Sequence, residues 1–354
     1  MIDTYAAAGL PGREAISIGP FNGTATAWDD VVASVPGSTF CHLAGWREIM
    51  TDVLGHDTVF AVARDREGEC QGVLPLVRVR SSLLGDYLVS MPFLNAGGPI
   101  GSQAAVAALA EHAAALARQL GVDLLELRTR VLVASSLRVT HRKITVLLQL
   151  PPSAEELWAS FPSKLRSQIR RPMKEGLDVR FGLDQLGAFY EVLARNMRDL
   201  GTPVLPRALF ERIAAVFPQR VVFGAVYRGA QPLAAAGGFA WRDGFEMTWA
   251  SALRDGRRLA VNMLLYWSFM ERMIARGVRV FDFGRCTPGA GTHQFKRQWG
   301  GADVPLPWLQ WSPRQLTAPP TPDRPVFRVA SAVWRRLPLV VANRVGPVIA
   351  RRIP

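Results

Sequence analysis

Apolar positions along the chain switch repeatedly between the period of a strand and that of a helix. Asp57–Ala63 and Gly72–Val79 are rich in β-branched and aromatic residues and flank the charged turn Arg64–Glu69, which predicts a hairpin. Before it, Trp28 to Val35 and Trp46 to Val53 read as short helices. After it, the glycine-rich segment Asn95–Gly101 leads into an alanine-rich helix, Gln103 to Leu120, and a strand, Val122–Leu127. The pattern restarts at Pro151. Ser153 to Glu156 form a capping box, and Ser163 is placed to cap a second helix that runs to Lys174 and stops at Gly176. A strand at Leu177–Phe181, helices over Gln185 to Leu200 and Pro206 to Phe217, and strands at Val221–Tyr227, Leu233–Trp241 and Gly244–Ser251 follow. The basic loop Leu253–Arg258 then opens an amphipathic helix, Ala260 to Arg276, which runs into a further strand starting at Val278.

The two halves resemble each other. Ala115 to Arg128 and Glu271 to Gly284 share one succession of helix end, glycine break and strand, and each follows a hairpin. Such a repeat predicts two copies of one mixed α/β fold, the second keeping the polar equipment and the first serving as a scaffold or substrate shelf. The expected divisions are residues 1–150, 151–312 and a tail, 313–354, that opens with a proline-rich linker. A chain of 354 residues suits two cores of about 150 residues each.

Composition narrows the class of protein. With 49% hydrophobic and 20% charged residues the chain is globular, and no uninterrupted apolar run approaches the roughly 20 residues of a membrane span. The first residues include Asp3, Arg13 and Glu14 and lack the apolar core of a signal peptide, so the expected location is cytoplasmic. Cys41, Cys70 and Cys286 are widely spaced and unpaired in pattern, which disfavours a disulfide framework and a zinc site. A net charge of +13 calls for an anionic partner, whether nucleic acid, acidic lipid or phosphorylated substrate. Arg166, Arg170 and Lys174 form a basic stripe, readable as a solvated face or as a track for a phosphate-rich ligand. Val326 to Pro354 carries six arginines and no acid, with Val326, Ala330, Val333 and Leu337 on one helical face. That segment, 326–354, is expected either to rest peripherally on an anionic membrane or to dock on the second half of the chain.

The candidate chemistry gathers between Val278 and Gly300. Asp282 is a carboxylate in the middle of an apolar strand, fit to orient an amine or take its proton, or else a buried acid paired with Arg285 or Arg254. Gly284, Pro288, Gly289 and Gly291 make a permissive loop, followed by His293, a candidate general base or a surface histidine. Lys296, followed by Trp299, is the candidate to hold an oxyanion during acyl transfer. Cys286 lies within loop reach of His293, but two neighbours do not make a triad. Asn95–Gly101 offers a phosphate cradle or simply a turn. HExxH, Walker, GxSxG and paired-cysteine motifs are missing, which leaves transferases and binding proteins.

Four stretches then carry a resemblance. Asn196 to Val204, Trp249 to Arg254, Asn262 to Trp267, and Phe281 to Arg285 with Gly291 to Gly300 resemble the FemAB-like proteins associated with PEP-CTERM/exosortase systems, most closely over 151–311. The resemblance implies two tandem GNAT-like domains in an α/β fold, the first degenerate, with no metal, in a cytoplasmic protein of exopolysaccharide or cell-envelope assembly. It implies an N-acyltransferase in which Lys296 stabilises the acyl-transfer intermediate, and the residues themselves offer Asp282 or His293 to manage the amine proton. Arg254, Arg257 and Arg258 would hold donor phosphates, with Asn262, Arg285 and Trp299 as further binding residues. The loop Arg254–Arg258 lacks the glycine-dense pyrophosphate signature of coenzyme A-dependent relatives, so the donor stays open between acyl-CoA and aminoacyl-tRNA. The partners implied are that donor, tRNA included, and an envelope or polysaccharide precursor. The competing expectation is a non-catalytic protein that binds an anionic glycan-lipid or RNA through its arginines.

Overall fold

The structure, a computed structural model, describes residues 16–81, 85–313 and 325–354. The linker prolines Pro319, Pro320 and Pro322 and the first fifteen residues lie outside them.

The first half runs β1 (Ser17–Pro20), α1 (Ala25–Ser34), α2 (Gly45–Glu48), β2 (Asp57–Arg64), β3 (Cys70–Ser81), β4 (Gly85–Val89), β5 (Ile100–Gly101), α3 (Gln103–Leu120), β6 (Leu124–Leu127) and β7 (Arg138–Gln149). The second runs α4 (Ala154–Ser160), α5 (Ser163–Lys174), β8 (Asp178–Phe181), α6 (Leu186–Leu200), α7 (Arg207–Val216), β9 (Val221–Arg228), β10 (Gln231–Trp241), β11 (Gly244–Ala252), α8 (Arg254–Arg257), α9 (Val261–Ala275), β12 (Val280–Cys286), α10 (Gly291–Arg297) and β13 (Ala302–Trp311). The tail forms α11 (Pro325–Trp334) and α12 (Leu339–Ala350).

Among the described residues all thirteen strands join in one sheet, in the order β1-β2-β3-β4-β6-β13-β7-β12-β11-β10-β9-β8, with β5 beside β3. The order is nearly palindromic. In each half a meander is followed by a helix and a strand parallel to its predecessor, β6 on β4 and β12 on β11. The closing strands are exchanged, so that β7 of the first half pairs with β12 and β13 of the second pairs with β6. The expected boundary at 150 therefore separates the chain but not the cores. One core joins both halves, with Phe40 stacked on Phe239 at 4.2 Å and Trp46 against Phe217 at 5.2 Å.

Local chemistry explains most elements. Ser102 caps α3 through the Ala105 amide, and Gly121 ends it at φ 65. The Asn95–Gly101 segment is a packed turn, because Gly98 donates to the Arg128 carbonyl and a side chain at Gly101 would collide with the Gln71 carbonyl. Two expectations are corrected. Ser163 is the first residue of α5, whose N-cap is Pro162 without a side-chain bond. α9 is not amphipathic: Val261, Leu264, Tyr266, Phe269, Met270 and Met273 are all buried, since one side lies on the sheet while α4 and α5 cover others.

The repeat is structural, and its two copies differ where strands part. In the second half β11 and β12 pair only from Gly244↔Val280 to Glu246↔Asp282. Gly284 then takes φ +72, and a Cβ there would meet the Met247 carbonyl at 2.7 Å. Arg128 holds the corresponding place in the first half. Its guanidinium binds the Glu126 carboxylate at 2.9 Å and the Leu94 carbonyl at 2.8 Å, tying β6 to the segment after β4. The first parting is filled and the second is open. Gly284→Ala is therefore expected to cost about 2–4 kcal/mol by denaturant unfolding, against about 1 kcal/mol for Gly277→Ala, which has similar φ but open space around it. Equal losses would contradict the close approach at Gly284.

Candidate active site

Two carboxylates face each other where β11 and β12 stop pairing. Glu246 and Asp282 alternate with Phe245, Met247, Phe281 and Phe283, which point into the α9 core, so the acids emerge on the opposite face. Arg130, from the loop between β6 and β7, bridges them, with Nη2 at 2.9 Å from Glu246 Oε2 and 2.6 Å from Asp282 Oδ2. Asp282 Oδ1 also accepts from the Thr145 hydroxyl on β7 and from the Gly284 amide at 2.8 Å. Glu246 Oε1 accepts from Asn95 Nδ2 at 2.7 Å and the Thr248 hydroxyl at 3.3 Å. Both halves of the chain thus build the cluster.

Burial, and then the Asp282 charge, push the Glu246 pKa up to about 7, although Arg130 and the Asn95 bond favour its ionised form. Burial works against the Arg130 charge, but the two carboxylates outweigh it and hold its pKa above the ordinary value.

A cavity of about 370 Å³ opens beyond the cluster, between Met247, Thr248 and Trp249 of β11 and Phe283, Gly284 and Arg285 of β12. Asn95 and Lys296 also line it, and Ala350, Ile353 and Pro354 of the tail lie along its wall. Lys296, on α10, is buried and donates from Nζ to the Gly284 carbonyl at 2.6 Å and the Arg285 carbonyl at 3.0 Å. An ammonium carries three donors, so one N–H is left for a ligand in the cavity. Burial lowers the Lys296 pKa, opposed by Cys286, Asp282 and Glu246. A second cavity, of about 300 Å³, lies against Arg130, Glu246 and Asp282 and is walled by Thr39, Phe40 and Trp241.

The structure brings Asp282, Lys296 and Arg285 to this place. Arg285 lies over the Trp308 ring at 5.3 Å, and burial followed by the neighbouring Arg128 pushes its pKa down to about 10. Asp282 pairs with Arg130, not with Arg285 or Arg254. His293 is spent elsewhere: its Nδ1 accepts from the Gly289 amide at 3.0 Å and its Nε2 donates to Asp303 at 3.0 Å, which fixes the loop before α10. Trp299 is a core residue at 1% exposure, packed on Phe161 and Tyr266. Cys286 is buried in the same core, and burial raises its thiol pKa, the reverse of an activated nucleophile. Asn262 is half-buried in the first turn of α9. Arg254 is exposed beside Asp199 and lines a separate cavity of about 270 Å³ with Arg195, Arg198 and the tail's Arg335. Arg258 is exposed, and the Arg257 side chain lies outside the described residues.

Glu246, Arg130 and Thr248 were not singled out by the sequence, and Asn95 was noticed only as the start of a possible phosphate cradle, whereas it donates to Glu246. A signal existed for Glu246, because Phe245-Glu-Met repeats the pattern of Phe281-Asp-Phe, an acid between apolar neighbours.

Paired meanders, parallel strands that part, and a cavity at the parting define a tandem GNAT-like fold. Residues 161–297 match the family model for an acetyltransferase (GNAT) domain. The fold is similar to that of FemX, with a TM-score of 0.64 and 14% identity over 88% of this chain and 100% of that chain. It is also similar to a conserved protein of unknown function from Bacteroides thetaiotaomicron VPI-5482, with a TM-score of 0.54 and 12% identity over 83% of this chain and 99% of that one. A tandem GNAT protein from the clavulanic acid biosynthesis pathway, solved without AcCoA, matches with a TM-score of 0.50 and 12% identity over 84% and 98% of the two chains. No curated protein sequence matches the chain.

Proposed function

We propose that this chain transfers an acyl group, acetyl or aminoacyl, from a thioester or ester donor to an amine in the cavity between β11 and β12. The observation that carries the reading is the convergence there of Lys296 and of Asn95 and Thr248, both bonded to Glu246. The amine nitrogen attacks the donor carbonyl, and the oxyanion that forms takes the third N–H of Lys296. The amine proton passes to the Thr248 hydroxyl, whose own proton goes to Glu246 3.3 Å away. Collapse of the intermediate forms the amide and breaks the carbon–sulfur or carbon–oxygen bond, and Glu246 returns the proton through Thr248 to the leaving sulfur or oxygen, so that the donor departs as a thiol or hydroxyl and the carboxylate is restored. Asp282 and Arg130 act through Glu246, holding its carboxylate in place. No covalent enzyme intermediate is formed.

The donor is acyl-CoA or aminoacyl-tRNA, two ligands whose phosphates suit the arginine-lined cavity at Arg195, Arg198, Arg254 and Arg335. The resemblance of its motifs supports a role in exopolysaccharide or cell-envelope assembly linked to a PEP-CTERM/exosortase system. Incubation of the purified chain with labelled acetyl-CoA and, separately, with aminoacyl-tRNA, each with amine acceptors, tests the reading, and transfer from neither would reject it. Lys296→Met keeps the length of the side chain and removes its donors. It is expected to lower kcat by about 10²–10³-fold with little change in KM. Full activity in that variant would remove Lys296 from the mechanism.

A further inference from the structure

The tail helices are apolar on the side that faces away from the protein. α12 turns its small residues inward: Ala342, Gly346 and Ala350 are buried, and a side chain at Gly346 would meet the Val204 amide nitrogen at 3.2 Å. The strap is held further by Arg198, which donates to the Leu337 carbonyl at 3.0 Å. Val340, Val341, Val345, Val348 and Ile349 project outward, Val340 at 79% exposure. On α11, Val329 and Val333 stand one turn apart and are equally uncovered. A surface helix ordinarily turns such residues inward, and exposed aliphatic rows of this size mark contact surfaces.

Charge selects the partner. Arg328 and Arg344 are exposed on these two helices, Arg336 and Arg352 are exposed just past their C-terminal ends, and residues 325–354 contain no acid to neutralise them. An anionic bilayer offers hydrocarbon for the valines and phosphates for the arginines within one interface. Neither helix, at 10 and 12 residues, is long enough to cross a bilayer. We propose that the outer face of α11 and α12 docks in the plane of an anionic lipid surface. The aliphatic row then sits at the headgroup boundary, with the arginines on lipid phosphates. Because α12 leads to Ile353 and Pro354 at the Lys296 cavity, docking sets that cavity close to the membrane. The proposal is independent of the acyl-transfer reading.

Flotation of the full chain with phosphatidylcholine vesicles, with and without phosphatidylglycerol, provides the test. Binding is expected only with phosphatidylglycerol and falls steeply as salt is raised. Val340→Glu with Val348→Glu, both at exposed positions, should weaken it by about tenfold or more. Val131→Glu with Leu132→Glu, equally exposed but in the loop before β7, should leave it unchanged. Unaltered binding by the Val340→Glu, Val348→Glu variant would mean that the arginines hold any polyanion, and it would overturn the proposal. So would equal flotation with phosphatidylcholine alone. A dimer in solution that this variant dissolves, with no flotation of the parent chain, would assign the face to a second copy instead.

Discussion

Glu246→Gln lowers the rate of acyl transfer by about 10²–10⁴-fold, the contribution expected of a positioned general base. The wild-type kcat/KM rises with pH as Glu246 loses its proton near pH 7, and in the variant that limb disappears. Stability moves the other way. The folded carboxyl binds its proton more tightly than the unfolded one, so between the ordinary carboxyl pKa of 4.5 and about 7 the folded chain holds more protons. Unfolding stability therefore falls as pH rises through that window. Glutamine has no charge to bury and still accepts from Asn95, so Glu246→Gln should equal the wild type near pH 4 and exceed it at pH 8, by about 1–3 kcal/mol. Urea unfolding at the two pH values, beside the kinetic profile, separates a catalytic group from a structural one. A variant that lost activity and stability together at pH 8 would place Glu246 among the structural acids.

Elements with strong local periodicity were legible in the sequence. The helix Gln103–Leu120, the hairpin of β2 and β3 and the meander of β9 to β11 stand close to where their patterns put them. The two exchanged strands were not legible. β7 interrupts its apolar residues with Thr140, His141, Arg142 and Lys143, and β13 contains Pro305 and Pro307, which argue locally against a central strand. The sheet accommodates both prolines. Pro305 pairs with β7 over a stretch that β6 does not reach, because β6 meets β13 only from Leu309 to Trp311, and Pro307 lies at a break in register. Strand exchange is a long-range property, and no local pattern carries it.

The site divides in the same way. Asp282 and Lys296 were legible because a carboxylate in an apolar strand and a lysine after a glycine loop are unusual where they stand. Glu246 carries the same local signal, an acid between Phe245 and Met247, but its strand also holds the polar Thr248 and Ser251, and its pairing with Asp282 appears only when parallel register sets the two side by side. Trp299 misled for the opposite reason, since an aromatic residue beside a candidate site is more often core. Arg130 is 152 residues from Asp282 and sits in a loop without a pattern, so only the packing of one half on the other reveals it.

Arg130→Ala accordingly has the largest expected effect on stability. Its removal leaves Glu246 and Asp282, both nearly inaccessible, without their shared counter-charge. Breaking a buried pair from one side typically costs about 3–5 kcal/mol, because the remaining charge is uncompensated. Two carboxylates left together cannot both stay ionised cheaply, so the folded variant takes up protons that the unfolded chain releases. More protons on the folded side make stability rise as pH falls, and the loss should be large at pH 8 and shrink towards pH 5. Arg130→Lys retains the charge but not the planar fork that reaches both acids, and should fall between the two. Arg130 belongs to the first half and its partners to the second, so the unfolding curve also reports on their union. If the shared core and exchanged strands make one cooperative unit, Arg130→Ala shifts a single transition. A loss that stayed equal at pH 5 and pH 8 would show that the carboxylates do not depend on Arg130 for their charge.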